Sequence, residues 1–366
     1  MPQWGVPILG DATPGSPRGC WVPTDSDPQG LPRIDPASPE MGGRLLHVLQ
    51  TERLQLPGIN PHGHIEIANI GRGESYAVWR IRQDSTDLVA RFPLRELSQM
   101  PRSFSAEFEA LRFVPPEVGT QPVALIPQKD VLGCACMVTT YIEGAIKMPD
   151  QWSASDLASL ADVIARLHQS TIKPMGELSL DLAADCQQTI DWYSAQHPRV
   201  IQGTAAELGH RVFVWLTDHA WCMETCRRVA LVHGDLVATN VVFVGHQPRL
   251  IDWEWAEFTD PAKDLALIGG RISADPWYVP MPPAQVDSFI DAYIEASRKY
   301  GGTDDEQASD SRTDLRERRA VWEICERFGS SLAFSLKAQT EKGTLYRDTV
   351  ARVHHHLSTV LAEDGY

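Results

Sequence analysis

The stretch Leu231-Val-His-Gly-Asp-Leu-Val-Ala-Thr-Asn240, followed by Leu250-Ile-Asp-Trp-Glu-Trp255, holds the residues best suited to chemistry. Asp235 and Asn240 are five positions apart, and Asp252 lies twelve beyond Asn240, after an apolar run. A carboxylate can orient an attacking hydroxyl and take its proton. Aspartate and asparagine also offer the hard oxygen ligands that Mg²⁺ prefers. Any one such pair arises by chance in an ordinary loop. The ordered set is informative only if the surrounding elements can hold it on a rigid turn.

Those elements fall into two zones. Apolar spacing over Leu45, Leu46, Val48 and Leu49 predicts a short helix. Strand-like runs follow at His64–Ile70, Ala77–Arg82 and Leu88–Phe92, then a helix at Ser105–Phe113, then strands at Val123–Pro127 and Cys134–Tyr141. Beyond Gly144 helical spacing dominates: Leu157, Leu160, Ala161, Ile164, Leu167 and His168, then Leu208–Trp221, Val286–Ser297, Arg316–Lys337 and Asp348–Leu361. Two short strand-like pieces, Val241–Val244 and Arg249–Asp252, flank the asparagine and the second aspartate. The expectation is an α+β chain, strand-rich first and helical second. Residues 1–40, rich in Pro, Gly, Ser and Asp, read as a flexible leader, residues 41–143 as the first lobe and 144–366 as the second.

Asp235 preceding Asn240 by five residues, with a later aspartate, resembles the kinase catalytic loop. Here the loop reads His-Gly-Asp, and Ile251-Asp-Trp-Glu254 and Asp260-Pro-Ala-Lys-Asp-Leu-Ala266 follow. Together with Ile164-Ala-Arg-Leu-His168 and Tyr141-Ile-Glu-Gly144, this is similar to the aminoglycoside phosphotransferase and choline kinase superfamily over residues 64–270. The resemblance implies a bilobed protein-kinase-like fold, with a five-stranded antiparallel N-lobe that binds nucleotide and a mainly helical C-lobe carrying the acceptor site. It also implies Mg²⁺ as cofactor and ATP or GTP as phosphoryl donor. On it, Asp235 is the catalytic base, Asn240 and Asp252 are the metal ligands, and His233 and Asp264 support the loop.

The first-lobe assignments follow from the same likeness. Arg91 stands where kinases carry a phosphate-touching lysine, and its planar guanidinium can grip a phosphate with two parallel donors. Glu107 is the expected partner of that cation; Glu109, on another helix face, is the rival. Gly71-Arg-Gly-Glu-Ser75 is a candidate phosphate-covering loop in which Ser75 could donate a hydroxyl, and Thr140 and Tyr141 should offer backbone groups to the base.

Glu254, Trp255, Glu257 and Asp260 are the candidate acceptor residues, a mix of acids and aromatics suited to a cationic amine. The first expectation is a phosphotransferase acting on an antibiotic, aminoglycoside-like or a related natural product. The second is a metabolic kinase for choline, ethanolamine, a sugar or an amino alcohol, and the third a nucleotide-binding pseudokinase scaffold. Only the scaffold has no need of a base. A net charge of −15 speaks against a nucleic-acid partner. No apolar run long enough for a membrane helix and no secretory signal are evident, and seven scattered cysteines fit a reducing cytoplasm. Cys222 and Cys226 share a helix face and read as core thiols rather than a metal pair.

Overall fold

The computed structural model describes residues 34–366 apart from 74, 98–102, 128–130, 177, 302–310 and 340–342. The acidic stretch from Thr303 to Glu306 and most of the expected leader lie outside them. The described residues form two compact units, one built from 34–116 and 120–142, the other from 117–119 and 143–366.

The first unit is a helix on a sheet. Helix α1 (Pro39–Gln50) starts with proline in its first turn, where the missing N–H costs nothing. It is followed by β1 (Glu66–Arg72), β2 (Tyr76–Gln83), β3 (Thr86–Pro93), α2 (Phe104–Leu111), β4 (Pro122–Ile126) and β5 (Cys136–Thr140). The strands form one antiparallel sheet in the order β1-β2-β3-β5-β4. Met41, Leu45, Val48 and Leu49 recur on one face of α1 and bury against Trp79, Ile81, Leu88, Ala90 and Phe92. Each such side chain contributes about 2 kcal/mol before conformational entropy is subtracted. The approach is close: a Cβ on Gly42 would collide with the Trp79 ring. Residues 34–40, expected in the leader, are packed instead: Ile34 and Ala37 lie on this core, and Trp79 Nε1 donates to the Pro36 carbonyl at 2.8 Å.

The second unit is mainly helical. It runs through β6 (Ala145–Ile146), α3 (Ala154–Thr171), β7 (Lys173–Pro174), α4 (Leu182–Gln196), α5 (Thr204–Asp218) and α6 (Ala220–Met223). The segment that carries the motifs follows: β8 (Arg228–Val232), a single 3-10 turn at Ala238–Asn240, β9 (Val241–Val244), β10 (Gln247–Leu250), β11 (Glu257–Thr259) and α7 (Ala262–Leu267). After β12 (Gly269–Gly270) and β13 (Val279–Pro280) come three long helices, α8 (Pro283–Tyr300), α9 (Arg312–Lys337) and α10 (Gly343–Glu363). Helix α3 opens with a reciprocal cap between Ser153 and Asp156, which satisfies two otherwise orphaned N–H groups. Strands β9 and β10 form a hairpin around Gly245, which sits at φ +64°. Cys222 and Cys226 are both buried, as core thiols should be. Among the described residues no helix is long and apolar enough to cross a membrane.

Candidate active site

The catalytic-loop segment is fastened from below by one carboxylate. Asp264, fully buried in the first turn of α7, accepts the backbone N–H of His233 at 2.7 Å and of Gly234 at 3.0 Å. His168 of α3 donates to the same carboxylate from Nε2 at 3.2 Å, and its Nδ1 accepts the Tyr293 hydroxyl of α8 at 3.0 Å. Burial alone would push Asp264 up; the bonds from His168 and the loop amides overcome this and hold it below the usual carboxylate range. Gly234 takes φ +77°, and a side chain there would run into the Trp255 carbonyl, so the loop can turn only at glycine.

His233 joins the two halves of the motif. Burial lowers its pKa and keeps the ring neutral. Its Nε2 donates to the Ile251 carbonyl at 2.9 Å, which leaves Nδ1 to face the Asp235 N–H at 3.4 Å. Ile251 in turn donates its N–H to the Asn240 carbonyl at 3.1 Å. The residue after Ile251, Asp252, is held at φ +66°, a left-handed conformation that is uncommon outside glycine and asparagine or aspartate.

Asp235 and Asn240 meet directly. The Asn240 amide nitrogen donates to the Asp235 backbone carbonyl at 2.9 Å and to its carboxylate at 3.1 Å. Burial first, and then the charge of Asp252, push Asp235 up to about 7; the Asn240 bond and the charge of Lys337 act the other way. Spending the amide nitrogen on Asp235 leaves the Asn240 oxygen as its ligand atom. One amide oxygen and the Asp252 carboxylate would make a poor all-protein cage. Among the described residues no group of three or more His, Cys, Asp or Glu could hold a metal ion. It does fit Mg²⁺, which takes one or two carboxylates and completes its shell with water and phosphate oxygens.

In the first unit, Arg91 of β3 and Glu107 of α2 form a buried ion pair. The Tyr76 hydroxyl donates to the other Glu107 oxygen at 2.9 Å, and the Tyr76 ring lies 4.0 Å from the Arg91 guanidinium. The rival Glu109 is turned outward and pairs with Arg112 at 3.1 Å. Ser75 is buried at the start of β2, and its carbonyl accepts the Leu94 N–H; Glu74 lies outside the described residues. At the hinge, the Thr140 N–H is spent on the Gln121 carbonyl and the Tyr141 N–H on the Asp87 carbonyl, both at 3.0 Å, which narrows the backbone groups these residues could offer a base to their carbonyls.

The acceptor candidates separate. Glu257 is buried against Lys263 at 2.8 Å, and Lys263 also pairs with Glu326 at 3.1 Å. Asp260 is fully buried, accepting from Arg318 Nε and Trp322 Nε1, both at 3.0 Å. Both acids hold α9 to the loop rather than facing a ligand; Glu254 and Trp255 remain half-buried. Sequence reasoning missed Tyr76 and Tyr293, which complete the Glu107 and the Asp264–His168 systems, and the backbone bond by which the Trp277 carbonyl accepts the Ala238 N–H at 2.8 Å. No local spacing announces them.

The phosphotransferase enzyme family (APH) model matches residues 66–305. No curated protein sequence matches the chain. Among solved structures, choline kinase from Cryptosporidium parvum Iowa II superposes with a TM-score of 0.61 at 12% identity, covering 88% of this chain and 96% of that one. A thermostable mutant of aminoglycoside phosphotransferase APH(4)-Ia, in ternary complex with AMP-PNP and hygromycin B, gives 0.52 at 13% identity over 83% and 96%. The GDP complex of aminoglycoside 2'-phosphotransferase-IIIa gives 0.55 at 14% identity over 88% and 99%. The chain belongs to the phosphotransferase enzyme family and is a small-molecule kinase on a protein-kinase-like fold.

Proposed function

We propose that this kinase transfers the γ-phosphoryl group of ATP or GTP to a hydroxyl of a small natural product of the antibiotic kind. The observation that carries the chemistry is the contact of Asn240 with Asp235 beside Asp252, on a loop clamped by Asp264. Asp235 orients the acceptor hydroxyl and takes its proton. A pKa near 7 suits a base at neutral pH better than that of an ordinary carboxylate. Asn240 and Asp252 hold Mg²⁺, which supplies charge neutralisation on the transferring phosphate. Arg91, pre-set by Glu107 and Tyr76, meets the nucleotide phosphates, and Ser75 lies at the start of the strand that follows the phosphate-covering loop. The complete set of base and ligands favours an enzyme over a scaffold.

For the donor, the relatives' bound AMP-PNP and GDP support a nucleoside triphosphate without choosing its base. For the acceptor, the hygromycin B complex supports an antibiotic. The likeness to choline kinase supports a second reading, a choline-type metabolic acceptor. The acidic case for a cationic acceptor is weakened by the burial of Glu257 and Asp260. The test is a coupled ADP- or GDP-release assay with Mg²⁺, either nucleotide, and a panel of antibiotics, sugars, choline and ethanolamine. Turnover with one acceptor, lost in Asp235→Asn, is expected. Turnover that persists in Asp235→Asn contradicts the base assignment.

A further inference from the structure

Asp264 clamps the start of the catalytic loop, but it stands on a helix too short to hold itself in place. Helix α7 has 6 residues, under two turns, and the last carbonyls of such a helix have no partner within it. Two buried arginines of α9 supply the donors. Arg319 Nε donates to the Leu265 carbonyl at 3.0 Å, and its Nη2 to the Gly269 carbonyl. Further along α9, Arg327 Nη2 donates to the carbonyls of Ala266 at 2.8 Å and Leu267 at 3.1 Å.

The same pair reaches a second fixture of the loop. Beyond Asp235, the Ala238 N–H donates to the Trp277 carbonyl at 2.8 Å. Trp277 lies in the turn between β12 and β13, and Arg327 grips this turn at both ends. Its Nε donates to the Ile272 carbonyl at 3.0 Å, and its guanidinium lies 3.6 Å from the centre of the Tyr278 ring. Glu323, between the two arginines on α9, accepts the Ile272 N–H at 2.9 Å and Arg319 Nη1 at 2.7 Å. The fit is tight: a Cβ on Gly270 would collide with the Glu323 carboxylate and the Arg319 guanidinium.

Arg327 spends its bonds on carbonyls and a ring, with no carboxylate bonded to it among the described residues. A buried cation held in this way is costly to desolvate, so its net contribution to stability is small. What a guanidinium adds is direction: its planar fork of donors serves α7 and the β12–β13 turn at once. The two places where the loop is tied, at Asp264 and at Trp277, therefore share one anchor on α9.

We propose that Arg319 and Arg327 are positioning residues for phosphotransfer: through α7 and the β12–β13 turn they fix the catalytic loop at Gly234 and at Ala238, and so set the rate of transfer rather than the affinity for nucleotide. This role rests on the reading of Asp235 as the base.

The test compares full-length Arg327→Met with Leu216→Ala, a destabilised control at a buried position of α5 outside both fixtures. Hydrogen exchange read by mass spectrometry, well below both melting temperatures, should be about tenfold faster over residues 231–240 in Arg327→Met and at the wild-type rate there in Leu216→Ala. ADP release from ATP with Mg²⁺, water serving as acceptor, should fall about tenfold in kcat in Arg327→Met with the KM for ATP unchanged. Arg327→Lys keeps the charge but has one nitrogen for both fixtures, and should move both readings in the same direction by less. Wild-type exchange over 231–240 in Arg327→Met or, where that variant does not fold, in Arg327→Lys overturns the proposal. Equal acceleration in Leu216→Ala, or a raised KM with unchanged kcat, overturns it too. Phosphotransfer that survives in Asp235→Asn, with exchange still accelerated in Arg327→Met, would sink the base assignment and leave the two arginines as holders of the loop.

Discussion

Two neighbouring acidic segments of the second unit look alike as sequence and do opposite things. From His233 to Asp252 the balance runs against ionisation of the central acid: Asp235 is met by an amide, and burial first, then the charge of Asp252, push its pKa upward. From Glu257 to Asp264, the acids are consumed. Glu257 is neutralised by Lys263, Asp260 is neutralised by Arg318 and accepts the Trp322 indole N–H, and Asp264 is wrapped by two backbone N–H groups and His168. The first segment stores electrostatic strain, a signature of sites that do chemistry. The second spends its charge on holding the first in place.

That contrast can be broken most sharply at Asp235. Asp235→Asn keeps the shape and removes the base, so turnover in the release assay should fall by about a hundredfold or more, while nucleotide binding persists. The same variant should not lower thermal stability. The next largest effect is at Arg318. Arg318→Met strands the buried Asp260 charge and should cost about 3 kcal/mol, read as a lowered Tm, with the Mg²⁺ dependence of any remaining activity unchanged. The comparison predicts pH dependences of opposite sign. Asp235 has a folded pKa raised from 3.8 to about 7, so its ionisation is disfavoured by folding and its contribution falls as pH rises through that window. In metal-free protein, Asp235→Asn should remove this loss between pH 4 and 7. Asp264 has a folded pKa held below 3.8, so its stabilisation is present above that value and lost as pH falls further. Urea unfolding across pH, with and without each substitution, reads both signs.

Smaller effects sharpen the same distinction in the first unit. Glu107→Ala frees Arg91 from its buried partner and should raise the nucleotide KM by about tenfold. Glu109→Ala breaks only an exposed pair and should change stability by less than ~0.5 kcal/mol and KM not at all. Equal effects of the two would mean that the helix face was read wrongly.

The sequence exposed what is local. His233, Asp235, Asn240 and Asp252 are legible because one loop and one hairpin carry them, and the five strands of the first unit because their apolar runs and turns are contiguous. Helix α9 was legible as a helix, but not that its Arg318 would reach Asp260, 58 residues upstream in the chain. Arg319 and Arg327 were equally opaque: both are buried, donating to the carbonyls of Leu265, Gly269, Ile272, Ala266 and Leu267. Arginines on a helix read as a solvated face until the carbonyls they cap are known. Asp260 reads as ligand-facing until Arg318 and Trp322 of α9 are known, and Glu257 until Lys263, six residues on, is seen to fold back onto it. The two-residue strands β6, β7, β12 and β13 have too few positions to show a period.

Asp235 and Asp252 divide the labour of the loop between proton and metal. Binding of Mn²⁺ with AMP-PNP, followed by electron paramagnetic resonance, separates them without any acceptor. Asp235→Asn should bind the metal–nucleotide pair like the wild type, and Asp252→Asn should weaken it by about tenfold or more. Wild-type metal binding in Asp252→Asn would remove that residue from the metal site and contradict the reading of the loop.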